Sequence, residues 1–121
     1  MKRVIGIGGI FFKSRDPQAL AAWYRVHLGL DVQAWGGASF EGGAGPTNWC
    51  PFKADTEYFA PSAAPFMVNY RVADLDGLLA VLRVEGCEVV GEPQASEYGK
   101  FGWVMDPDGN KIELWEPPTG E

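Results

Sequence analysis

The chain has 121 residues, 46% of them hydrophobic and 13% aromatic, which suits one domain with a real core and is too short for two ordinary ones. Its 16 acidic residues against 10 basic give a formal charge of -6 with no basic run to offset it, so nucleic acid is not expected as a partner. No stretch reaches the roughly eighteen apolar residues that span a bilayer. Cys50 and Cys87 lie far apart without a CxxC spacing, so the expectation is a reduced, cytoplasmic protein without membrane contact.

The N-terminal MKRVIGIGGIFFKSRD has two basic residues and an apolar run from Val4 to Phe12, but Lys13, Ser14 and Arg15 follow where a secretory signal would carry small residues. Ile5 to Lys13 therefore reads as a first strand. At SRDP, Asp16 is placed to cap a helix with Pro17 at its first position. Leu20, Trp23, Tyr24 and His27 recur with helical period, and Gly29 supplies the stop before a short strand, LDV. Further strands are expected at about 32–34, 38–41 and 48–52, broken by glycines at 36–37 and 42–45. Pro51 to Pro65 reads as a linker that can lie over the mouth of a site.

The same grammar then returns. FMVNYRV is a strand, Asp74 a cap, Leu75, Leu78, Leu79 and Leu82 an apolar stripe, and Gly86 a stop. Asp16 and Asp74 are 58 apart, pairing Lys13 with Arg71 and Leu20 with Leu78, while Gly29 and Gly86 are 57 apart, one deletion shorter. Two copies at this spacing imply paired modules sharing a core, about 1–55 and about 64–118, within a single domain, 1–121. The second copy closes with strands at 88–90, 101–105 and 111–115, the last two flanking DPDGN, where Asp108-Gly109 is a strong hairpin signal.

SRDPQALAAWYRVHLGL, NYRVADLDGLLAVLRVEG and FGWVMDPDGNKIELWEPP together resemble the glyoxalase, bleomycin-resistance and extradiol-dioxygenase superfamily, also called vicinal oxygen chelate proteins. The resemblance covers nearly the whole chain. It implies an α+β fold of two βαβββ modules whose mixed sheet curls into a cup with helices outside, and commonly a homodimer. Its metal-using members carry a ligand near the start of each module's first strand and a carboxylate in the last.

Period-two alternation locates the candidate site residues. With Ile112 and Leu114 under the helices, Glu113 faces the cup, and the same rule sends Gly9, Phe11 and Lys13, then Met67, Asn69 and Arg71, inward. Glu113 is the candidate catalytic residue or the partner of Lys13 or Arg71, because a carboxylate is costly to bury unpaired. Lys13, Asn69, Arg71, Phe11, Trp49, Met67, Trp103 and Trp115, with Phe101, are the candidate ligand-binding residues. The final-strand carboxylate matches the metal-using pattern, but Gly9 and Met67 stand where further ligands belong, so no metal cofactor is expected. His27, the chain's one histidine, reads as a packed or surface residue of the outer helix. The functional expectation is a small organic molecule held in an aromatic cup without metal. The alternative is a metal-dependent lyase, isomerase or dioxygenase.

Overall fold

The computed structural model describes residues 3, 7–41 and 45–118. Two helices follow the two aspartates. Helix α1, Pro17–Leu28, starts where the Asp16 side chain accepts from the Ala19 N–H, and ends at Gly29 in the left-handed conformation. Helix α2 is Leu75–Val84, capped by Asp74 through the Gly77 N–H. Both are short amphipathic helices, held by the face they bury more than by their own propensity.

Among the described residues five strands make one open mixed sheet: β1 (Val68–Arg71), β2 (Glu88–Val89), β3 (Gln94–Ser96), β4 (Gly99–Met105) and β5 (Lys111–Glu116). The order is β1-β5-β4-β2, with β3 also pairing β4, and β1 runs parallel to β5. The expected second-module strands are all present with ends displaced by up to two residues; β3 was not foreseen in sequence. It pairs antiparallel with β4 across a turn at residues 97–98, and Gly99, which opens β4, takes a positive φ of 113°.

The fold is α+β, with both helices on one face of the sheet. Leu20 and Tyr24 of α1 and Leu75, Leu79 and Leu82 of α2 share one buried cluster with Val104, Ile112 and Leu114. Gly102, opposite Leu114, lets α2 approach, since a Cβ there would stand 2.9 Å from a Leu79 methyl. The β4–β5 turn is pinned by Asp106: one carboxylate oxygen accepts from the Asp108 and Asn110 N–H groups, both at 2.9 Å, the other from the Asn110 amide at 2.8 Å and the Tyr24 hydroxyl at 2.7 Å. This buried aspartate ties the β4–β5 hairpin to helix α1.

The first-module strands are a correction. Residues 7–13, 30–34, 38–41 and 48–52, so far as they are described, join no sheet. Residues 33–37 instead close a turn, with Gln33 N–H on Gly37 O at 2.8 Å and Gly36 N–H on Gln33 O at 2.9 Å. Strand preference needs a partner to pack and pair with, and these glycine-broken segments have none among the described residues. The N-terminal part of the expected first strand, Ile5 and Gly6, lies outside the described residues.

Tyr24 carries a testable consequence. Burial, then the Asp106 carboxylate, pushes its phenol well above the usual value near 10. A raised folded value means that the protonated form adds stability below the unfolded pKa, and that this is lost as pH rises past about 10. Tyr24→Phe is expected to cost about 1–2 kcal/mol near neutrality and to flatten the alkaline fall. Urea unfolding at several pH values checks both; an unchanged alkaline slope would refute the assignment.

Candidate functional site

The face of the sheet away from the helices carries the polar cluster. On β5, Ile112 and Leu114 enter the core, so Lys111, Glu113 and Trp115 project oppositely. Register then decides neighbours. Glu113 stands between Asn69 of β1 and Trp103 of β4, and one step on, Trp115 stands between Arg71 and Phe101. The face is thus two transverse rows, Asn69–Glu113–Trp103 and Arg71–Trp115–Phe101.

In the first row Glu113 is only 8% exposed. One carboxylate oxygen accepts from the Asn69 amide at 2.8 Å; the other accepts from the Trp103 indole N–H at 2.9 Å and from the Tyr58 hydroxyl. Tyr58 arrives from the linker, where turns at Lys53–Thr56, Glu57–Ala60 and Phe59–Ser62 keep the segment folded over this part of the sheet. Burial, then the bond to Glu113, raises the Tyr58 phenol, so it stays protonated and donating.

Lys111 lies beside the cluster. Also 8% exposed, it donates to the Tyr58 carbonyl at 2.7 Å and lies 5.4 Å from the ring centres of both Tyr58 and Trp103. Burial lowers its ammonium pKa, while the Glu113 charge opposes that. Sequence reasoning passed over Lys111, although its position two residues before Glu113 puts it on the same face. Tyr58 carried no periodic signal at all.

The expected ion pairing is therefore corrected. Glu113 is held by neutral donors, with Lys111 alongside, and pairs with neither Lys13 nor Arg71. Arg71 belongs to the next row: its guanidinium lies 4.7 Å from the Trp115 ring centre and donates to Pro46 O at 2.5 Å, and its Nη1 is buried without a hydrogen-bond partner among the described residues. Trp115 stacks on Phe101 with ring centres 6.2 Å apart. Lys13 is on the surface beside Asp108 and Asn110. Phe11 and Trp49 are 96% and 80% exposed, so neither lines an enclosed wall within this chain. Met67 precedes β1, half-buried. Asn69, Glu113 and Trp103 are brought together, with Arg71 and Trp115 beside them; Lys13, Phe11 and Trp49 are not.

This open mixed sheet, with paired capped helices on one face and a polar and aromatic row on the other, is the architecture of a glyoxalase-like protein. A family model described as "Glyoxalase-like domain" matches residues 9–115, and the chain belongs to that family. No curated protein matches. Among solved structures the chain is similar to TnmS3, an antibiotic-binding protein from Streptomyces, at 24% identity over 84% of this chain and 87% of that one, TM-score 0.57. It is similar also to an Agrobacterium tumefaciens protein of unknown function, 21% identical over 91% and 96%, TM-score 0.58. A third, from the mobile metagenome of V. Pseudocholerae, is 16% identical over 93% and 96%, TM-score 0.52. A further match, a "conserved domain protein", spans less than half of either chain, 43% of this one and 46% of that one, with a TM-score of 0.40.

Proposed function

We propose that the chain binds a small organic molecule on the Glu113 face of its sheet, without a metal at Glu113, and that it does so as a homodimer. The observation that carries this reading is a carboxylate saturated by neutral donors on the same face as two cations, each set against aromatic rings. Lys111 lies against Tyr58 and Trp103, and Arg71 lies over Trp115 with a buried N–H free among the described residues. Such a surface suits a planar ligand bearing an anionic or carbonyl oxygen: the rings take its flat body and the cations its oxygen. TnmS3 offers a parallel on the same fold, as a protein that binds an antibiotic.

The residues around Glu113 do not fit a metal. Both carboxylate oxygens already accept hydrogen bonds from Tyr58, Asn69 and Trp103, and the indole N–H has no lone pair to offer. Among the described residues Glu113 belongs to no cluster of three or more imidazole, thiol or carboxylate groups. In this reading Glu113 orients Tyr58, Asn69 and Trp103, and the Tyr58 hydroxyl is the mobile donor that a ligand oxygen displaces or shares. The dimer reading is supported by the exposed Phe11, Trp35, Phe40 and Trp49 of the first module, the kind of apolar surface a second copy covers.

A panel of aromatic carboxylates and phenols, screened by tryptophan fluorescence, tests the proposal. Binding is expected with and without chelator. Lys111→Met and Arg71→Gln should each weaken anionic members about tenfold, the scale of one charge-assisted contact. Binding that appears only on adding a divalent metal would refute the metal-free reading. Sedimentation as a monomer at micromolar concentration would refute the dimer.

A further inference from the structure

We propose that His27, Glu85 and Cys87 form a binding site for a borderline divalent cation of the zinc class, on the helix side of the sheet and apart from the Glu113 face. His27 is in the last turn of α1, Glu85 caps the end of α2, and Cys87 follows one residue beyond the left-handed Gly86. Their ligating atoms all lie within 4.8 Å of one another. His27 Nδ1 and Glu85 Oε1 are 2.7 Å apart.

The backbone supporting two of the three is fixed. Glu85 N–H bonds Val81 O at 2.9 Å, Gly86 N–H bonds Arg83 O at 3.1 Å, and Cys87 N–H bonds Leu82 O at 2.9 Å, so the end of α2 presents carboxylate and thiol together. The His27 ring leans on Trp23 with centres 5.3 Å apart. In tetrahedral zinc, with bonds of about 2.0–2.3 Å, ligand atoms stand about 3.3–3.8 Å from one another. Side-chain rotation alone then opens the His27–Glu85 contact by about half an ångström and draws the thiol in by up to about one. One nitrogen, one oxygen and one sulfur suit zinc and disfavour magnesium or calcium, which take oxygen. Three protein ligands leave a fourth position for water or an outside ligand.

The ends of the two helices bring these side chains together: His27 lies in the last turn of α1 and Glu85 is the C-cap of α2, 58 residues further along the chain. A bound cation would replace a hydrogen bond between the modules with a coordinate crosslink.

The test titrates zinc chloride into metal-free protein by calorimetry, and cobalt chloride followed by absorption. One zinc per chain, a thiolate-to-cobalt charge-transfer band and a zinc-dependent rise in melting temperature are expected. Cys87→Ser and His27→Gln should each weaken zinc by more than the roughly 10- to 100-fold that losing an outer-shell partner costs. Cys50→Ser should bind zinc as the parent does, and so should Glu113→Gln, which separates this site from the ligand face. If Cys87→Ser fails to fold, Glu85→Gln, which keeps a hydrogen bond to His27, should still show weakened zinc. No saturable binding at micromolar zinc, or equal binding by the parent, Cys87→Ser and His27→Gln, would overturn the proposal and leave His27–Glu85 as a hydrogen bond alone.

Discussion

Glu113→Ala is expected to lower stability by about 3 kcal/mol in urea unfolding, and Glu113→Gln by about 1–2. Glu113 accepts three hydrogen bonds, and bonds to a charged acceptor contribute about 1.5–3 kcal/mol each when measured singly. They do not simply add here. Asn69 and Tyr58 sit at exposed positions and can turn to water, whereas the Trp103 indole N–H is buried and is left without an acceptor. Lys111 also loses the one charge that offsets its burial. Glutamine keeps the shape and one good acceptor but turns an amide N–H toward groups that are themselves donors. A loss below about 1 kcal/mol for Glu113→Ala would show that all three donors rehydrate freely, and that the cluster serves a ligand more than the fold.

Leu114→Ala, one residue along, is expected to cost more, about 3–5 kcal/mol. Leu114 is fully buried between Tyr70 of β1 and Gly102 of β4, inside the cluster that joins both helices to the sheet. Truncating a buried leucine costs about 2–5 kcal/mol, set by how far the cavity can collapse. Collapse is poor here, because the strands on both sides are hydrogen-bonded in fixed register. The pair of variants separates the two faces of β5: Leu114→Ala should lower stability while leaving the ligand affinity of the folded fraction near the parental value, and Glu113→Gln should alter affinity more than stability. Denaturation and ligand titration on both variants decide it. Parental stability in Leu114→Ala would mean that α2 does not pack where the structure has it.

Local chemistry in the sequence was enough for the helices and for the sidedness of the last strand. Asp16 with Pro17, Asp74 with its leucine stripe, and the glycine stops act within a few residues, so their outcome needed no knowledge of distant chain. Period-two alternation likewise turned Glu113 away from Ile112 and Leu114, and applied with the same care it would have put Lys111 beside it. The partners of Glu113 were beyond that reach. Asn69 and Trp103 meet it through inter-strand register, and Tyr58 through the folding of the linker, contacts that span 44, 10 and 55 residues of chain. Inward parity at Arg71 said nothing of its row, and the register places it beside Trp115 instead of Glu113. The first-module segments illustrate the same limit from the other side: Ile10, Phe11, Trp49 and Phe52 have the residue types of strands, but a strand exists only when another backbone pairs with it, and pairing is a property of the tertiary structure.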